Sequence, residues 1–191
     1  MVFWPVLIPT NPAQEIDWKE ILGSKEKYHK RHRDIPLTPE ELLQLLEVAK
    51  EKYTPKGGSE PTGPYYPFFE VAVWTGLRLG ELIGLRWGDV DLDKTPAVLS
   101  VERSTYRGID GPTKSRAGVR QVLLIDRAVQ ILRCHQELCF GATRPKNFRE
   151  LPLFQTVSGK KLDPDNIRPR HFGPLLKQAE LPHVRIHDLR D

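Results

Sequence analysis

Four side chains in this sequence could together do chemistry on a phosphodiester: Arg78, Lys114, His187 and Arg190. Two guanidiniums can neutralise the non-bridging oxygens of a phosphate, whose charge grows in the transition state. A lysine or a histidine can carry protons to and from the attacking and leaving oxygens. No carboxylate cluster for Mg²⁺ accompanies them, so the arginines would take over a metal's electrostatic work. Neither metal nor cofactor is expected. Each piece has an ordinary alternative. Arg78 with Glu81 could be a solvated i,i+3 pair at a helix start. Lys114 could be a loop charge. His187 and Arg190, three apart, could be a surface pair at a helix end. Their joint occurrence in this order favours the site.

The elements that must hold these residues surround them in sequence. An apolar run, Phe68-Phe69-Glu70-Val71-Ala72-Val73-Trp74, leads into Gly76-Leu77-Arg78-Leu79-Gly80-Glu81-Leu82. The glycine turn sets Arg78 at the start of a new helical pattern. That pattern continues over 82–85, and Trp87-Gly88-Asp89 breaks it. Upstream, Thr38-Pro39-Glu40-Glu41 predicts a helix start with a capping box and a proline in the first turn. Leu42, Leu45, Leu46 and Ala49 follow at helical spacing, and the helix should end near Tyr53. Residues 54–64, rich in proline and glycine, read as a loop, and a second helix should cover 67–75.

Strands are expected over 98–101, 104–106 and 119–125. A loop with Gly108, Asp110, Gly111 and Pro112 joins the last two, with Lys114 near its tip. Asp126 should cap a helix of about fifteen residues. Residues 144–150 form a basic connector and 151–154 a short apolar piece. Asp163-Pro164 should start another helix, which Pro169 and Pro174 kink or split. The expected fold class is mainly α with a small three-stranded antiparallel β-sheet. The alternating β-α-β pattern of a nucleotide-binding sheet is missing, as are a glycine-rich phosphate loop and an HExxH zinc helix.

Charge is unevenly spread. Residues 1–100 hold 12 Lys and Arg against 15 Asp and Glu, whereas 101–191 hold 17 against 10. The basic half suits a polyanionic partner, or it is a solvated surface. Residues 1–36 read as a lead-in containing Pro5, Pro9, Pro12 and Pro36. Within it Lys27, Lys30, Arg31 and Arg33 belong to a basic run. That run is either a strap against a DNA backbone or a solvated linker. Cys134 and Cys139, the two cysteines, match neither a disulfide framework nor a zinc spacing around His135, and they fit a reducing compartment. The sequence shows no signal peptide, and no apolar stretch approaches the roughly 20 residues needed to span a bilayer. A cytoplasmic protein with no membrane contact is expected.

Taken together, these motifs resemble the catalytic domain of the tyrosine recombinases, the phage integrase family. Thr75-Gly76-Leu77-Arg78-Leu79-Gly80-Glu81-Leu82 is similar to the family's first arginine box, and Leu85-Arg86-Trp87-Gly88-Asp89-Val90-Asp91 to the segment after it. Thr113-Lys114-Ser115 is similar to its hairpin lysine. Ile186-His187-Asp188-Leu189-Arg190 is similar to its second box. The resemblance covers 37–191. It implies a mostly helical domain that clamps duplex DNA, and strand cleavage and rejoining through a 3′-phosphotyrosine without metal or ATP. Arg78 and Arg190 would hold the scissile phosphate, Lys114 would protonate the leaving 5′ oxygen, and His187 would assist proton transfer. Glu81 would orient the site. Arg116 and Arg120, close to Lys114, would join Lys27, Lys30, Arg31 and Arg33 on the DNA surface. Full-length relatives imply a homo-oligomer on DNA, bacterial or phage-encoded, with no small-molecule substrate.

One departure matters. The family's nucleophilic tyrosine follows the second box, but Tyr28, Tyr53, Tyr65, Tyr66 and Tyr106 all precede it. The expectation is therefore a C-terminally truncated catalytic domain over 37–191, preceded by the linker tail of a missing core-binding domain over 1–36. Such a fragment would be inactive alone, because a phosphate site without a nucleophile does not cleave. Lost terminal helices would also leave apolar surface uncovered. Two other readings stay open at this point. One is a DNA-binding module or gene remnant without catalysis, and the other is a helical protein of unrelated function.

Overall fold

A computed structural model describes residues 36–58, 62–106, 108–112, 118–156 and 158–190. Residues 1–35 of the lead-in, with Lys27, Lys30, Arg31 and Arg33, lie outside the described residues, and so do Lys114 and Arg116.

Helix α1 spans Pro39–Tyr53 and opens with both halves of the expected capping box. The Thr38 backbone N–H donates to Glu41 Oε2 at 2.8 Å, and the Glu41 N–H donates to Thr38 Oγ1 at 3.3 Å. Helix α2 spans Tyr65–Thr75 and starts two residues earlier than expected. Pro67 does not block that start, because a proline in the first turn forfeits no internal hydrogen bond. Residues 66–72 of α2 are all buried. A helix that is apolar on every side belongs in the middle of a core. Accordingly α2 packs against α1, against helix α4 (Asp126–Phe140) and against a final 3₁₀ turn, Ile186–Arg190. Phe68 meets Phe69 and Phe154 edge-on at 5.5 and 5.3 Å between ring centres.

Among the described residues the three-stranded antiparallel sheet is present, but one of its strands is not the expected one. It comprises β1 (Val90–Asp91), β2 (Val98–Val101) and β5 (Arg120–Leu123), in the order β1-β2-β5. Leu99 faces Val90 on one side and Val122 on the other. The segment expected as the middle strand forms β3 (Arg103–Tyr106). It pairs instead with β4 (Ile109–Pro112), within the stretch read as loop. The reason is local. Tyr106 and Ile109 face each other across a two-residue turn, and Gly108 in that turn has φ +78°. A tight turn of this kind folds β4 straight back on β3, so β3 pairs with the segment that follows it.

Two helix boundaries also differ. Asp126 is the first residue of α4 and not its cap; it places a carboxylate in the first turn, where the helix dipole favours it. Helix α5 (Pro164–Ile167) starts as expected, with Asp163 accepting from the Asp165 N–H at 2.9 Å. It then passes through a π turn, Arg168–Phe172, into α6 (Gly173–Gln178), so the expected irregularity at Pro169 takes the form of a change in winding between two α-helical pieces. In a regular α-helix the Pro169 ring would meet the carbonyl of Asp165. The wider π turn at that point accommodates it.

Candidate active site

The stretch around Arg78 is built by one conformational change after another. Gly76 closes α2 in the left-handed region, at φ 59° and ψ 26°, with its N–H donating to Ala72 O at 3.1 Å. Leu77 turns into the core. Arg78 is extended, at φ −67° and ψ 149°, and caps helix α3 (Leu79–Gly84). Three residues thus redirect the chain and leave an arginine at a helix N-terminus. Gly80 and Gly84, four apart, let α3 lie directly on β3. A Cβ on Gly80 would come within 2.6 Å of Ser104 Oγ and 2.9 Å of Thr105 O.

Glu81 holds the site together. Its side chain is only 3% exposed, while that of Arg78 is 50% exposed. Its Oε2 accepts from the Arg78 backbone N–H at 2.9 Å and from Arg120 Nη2 at 3.0 Å. Its Oε1 accepts from Arg78 Nη1 at 3.1 Å and from Arg120 Nη1 at 3.2 Å. A carboxylate has about four lone-pair sites, so these bonds satisfy it. Burial pushes the Glu81 carboxyl up. The hydrogen bonds from Arg120, then from the Arg78 N–H and guanidinium, more than offset that and hold it below the usual carboxylate range. The solvated i,i+3 pair is therefore replaced by a buried carboxylate under two guanidiniums.

The second box is a 3₁₀ turn, Ile186–Arg190, held to the core by the buried Ile186 and Leu189. Asp188 accepts from the Arg185 backbone N–H at 2.7 Å and from Arg185 Nη2 at 2.8 Å. His187 stands exposed. Positions three apart eclipse each other in a 3₁₀ turn, so 187 and 190 fall on one side of it. Because this turn packs on α2, and the Arg78 turn ends α2, one helix carries both boxes.

Some residues of this region were not legible in the sequence. Asp110, read as a turn residue, accepts from Thr105 Oγ1 at 2.6 Å, from Arg86 Nη2 at 3.1 Å and from Lys161 Nζ. Burial raises its carboxyl, but the bonds from Lys161, Thr105 and Arg86 bring it down to about 2. Asp110 fastens the β3–β4 ribbon to two other parts of the chain, and no local signal marks it. Arg120, expected on the DNA surface, has its guanidinium on Glu81.

The model of the Phage integrase family matches residues 36–191. The chain belongs to the phage integrase family. A putative prophage phiRv2 integrase of Mycobacterium tuberculosis is 32% identical over 190 residues, covering 96% of this chain and 44% of the relative. The prophage integrase IntR of Escherichia coli K12 is 34% identical over 119 residues, 62% of this chain and 26% of the relative. A XerC-like tyrosine recombinase of Caldanaerobacter subterraneus is 26% identical, covering 82% of this chain and 44% of the relative. The chain thus spans less than half the length of these relatives. Among solved structures, the XerA recombinase aligns with a TM-score of 0.60 at 24% identity, over 83% of this chain and 48% of that one. The Tn1549 transposon integrase in complex with circular intermediate DNA aligns with a TM-score of 0.67 at 21% identity, over 92% and 56%. Both show the tyrosine recombinase catalytic fold in this member of the phage integrase family.

Proposed function

We propose that this phage integrase family chain holds a DNA phosphate in the catalytic domain of a tyrosine recombinase, for site-specific cleavage and rejoining through a phosphotyrosine link. The observation that carries the reading is the buried Glu81 carboxylate, which aims a half-exposed Arg78 from a helix start. Here the acid is covered and the guanidinium is presented. Arg78 and Arg190 bind the non-bridging oxygens, Lys114 protonates the leaving 5′ oxygen and His187 assists proton transfer. Duplex DNA is the partner, bound as a homo-oligomer in the cytoplasm of a bacterial host. The relatives named as integrases, and the Tn1549 integrase solved with DNA, support recombination on duplex DNA. The catalytic domain covers 37–191, and 1–36 is the linker from a core-binding domain.

None of the five tyrosines follows the second box. The 191 residues alone therefore bind DNA without forming a covalent link to it. The test is a pair of measurements on the purified chain. Binding to a fluorescent duplex should weaken as salt rises, and Arg78→Ala should reduce the slope of log K against log salt by about 0.9. A nicked suicide duplex should give no covalent adduct. An adduct would show that one of these five tyrosines attacks the phosphate and would overturn that expectation. Unchanged binding and slope in Arg78→Ala would overturn the phosphate role.

A further inference from the structure

We infer that Arg120 is a positioning residue: it grips both oxygens of Glu81 so that Glu81 can fix Arg78 toward the phosphate. This rests on the reading that Arg78 holds a phosphate. Three observations carry it. The first is the grip itself. Nη1 and Nη2 of Arg120 each donate to a different oxygen of Glu81, at 3.2 and 3.0 Å. This two-pronged geometry fixes the rotation of the carboxylate as well as its position, which a lysine's point charge cannot do. The second is what Glu81 does with its remaining lone pairs. Both go to Arg78, one to its backbone N–H and one to its guanidinium. Any rotation of the carboxylate would break both. The third is origin. Arg120 comes from β5, 39 residues from Glu81, and also donates to Gly118 O at 3.1 Å. It therefore ties the chain entering β5 to the start of α3.

The charge count fits the assignment. One buried carboxylate between two guanidiniums leaves one positive charge in surplus. Arg78 is 50% exposed and Arg120 only 32%. Arg120 neutralises Glu81 from behind, and Arg78 keeps its charge for a ligand. Without Arg120, Glu81 would draw Arg78 in as its sole counterion.

The test uses the whole chain and four variants: Arg120→Ala, Arg120→Lys, Glu81→Gln and Arg78→Ala, with the Arg78/Arg120 double variant. Far-UV circular dichroism confirms folding of each. The first readout is the ¹⁵N NMR signal of the Arg78 Nη groups, which needs no DNA. Restricted rotation in the parent chain should give way to averaging in Arg120→Ala and in Glu81→Gln, with Arg120→Lys in between. The second readout is affinity for a fluorescent duplex. Arg120→Ala should weaken binding about tenfold in the parent chain and add no loss in the Arg78→Ala background, where the salt slope should stay unchanged. A fall in that slope of about 0.9 in the Arg78→Ala background would make Arg120 a direct phosphate contact and overturn the proposal. Unaltered Arg78 Nη signals in both Arg120→Ala and Glu81→Gln would overturn it as well. If Arg78→Ala binds like the parent chain, the phosphate reading fails. The NMR arm then still decides whether Arg120 orients Arg78.

Discussion

Gly80 of α3 lies against Thr105 of β3 so closely that no larger residue fits: an added Cβ would stand 2.9 Å from the Thr105 carbonyl oxygen and 2.6 Å from Ser104 Oγ. The serine could rotate, but the carbonyl belongs to a paired strand. Gly80→Ala should therefore destabilise the chain. Helix propensity would favour alanine by about 1 kcal/mol, yet forcing two backbones apart costs about 1–3 kcal/mol. Gly84, on the same face, has only 3.3 Å contacts to the Arg103 and Thr105 side chains and 3.4 Å to a carbonyl. Gly84→Ala should cost less. Urea unfolding of the two variants side by side checks the ranking, and equal midpoints would refute it.

The two glycines explain part of what could be read in advance and part of what could not. A helix start announces itself locally. Thr38 with Glu41 and Arg78 with Glu81 each place an acid three residues after the cap, and each acid accepts the cap's N–H. The same device recurs at Arg86 with Asp89 and at Arg185 with Asp188, at 2.8 and 2.7 Å. Such contacts span one helical turn, so spacing reveals them. Arg120 and Glu81 are 39 residues apart, and Asp110 and Lys161 are 51 apart. Nothing in the spacing of distant residues predicts those pairs. Strand β1 has two residues, too few for any alternation to show. The β3–β4 ribbon was hidden because Asp110, Gly111 and Pro112 have turn chemistry, although in the fold they pair with β3.

Glu70 has no contact with solvent, and it holds three partners at once. It accepts from Tyr66 Oη at 2.5 Å, Trp74 Nε1 at 2.6 Å and Arg127 Nη2 at 2.6 Å. Two of these partners lie on α2 and the third on α4, so this carboxylate joins the two helices. Glu70→Ala should cost about 1–3 kcal/mol, because it leaves the Tyr66 hydroxyl and the Trp74 N–H without their acceptor, while Arg127, 44% exposed, can turn to water. Glu70→Gln should cost less, since an amide oxygen still accepts. Thermal unfolding orders the two, and a Glu70→Ala chain as stable as its parent would remove the buried charge from the account.

Two histidines should make stability depend on pH near neutrality. His135 is buried, stacked on Trp87 at 5.4 Å, and its Nε2 donates to Leu153 O at 2.9 Å. Burial pushes it below the usual histidine range, and that bond only partly offsets the shift. His171 is stacked on Tyr65 at 3.5 Å, with Tyr53 Oη 2.9 Å from its Nδ1. Burial, then the charges of Lys52 and Arg170, lower it too. Both folded-state values are depressed, so the unfolded chain takes up protons first as pH falls. The contribution of both groups is complete above the unfolded value of about 6.5 and is lost as pH falls through the folded values. The urea midpoint should drop between about pH 7.5 and 5.5, and His171→Phe should flatten that drop. An equal drop in the variant would leave His171 out of it.

Asp110 should govern the acid limb below that window. Its carboxyl, brought down to about 2 by Lys161, Thr105 and Arg86, is far below an unperturbed aspartate. A depressed acid contributes stability above its unfolded value, near 4, and loses it as pH falls through the folded value. The lysine and arginine partners are 24% and 37% exposed, so water screens part of the attraction. Asp110→Asn should therefore cost about 1–2 kcal/mol at pH 7, less than the full shift implies. The gap between parent and variant should shrink as pH is lowered from about 4 toward 2, because protonation removes from the parent what the mutation removes from the variant. The loss should be local as well. The carboxylate anchors the ribbon through Thr105 on β3 and through Lys161 and Arg86 elsewhere, so the Thr105 to Ile109 ladder should open first. Hydrogen exchange at β3 and β4 amides should accelerate in Asp110→Asn, while α2 amides keep their protection down to global unfolding. Uniform acceleration across both would show that Asp110 serves the whole fold and not the ribbon.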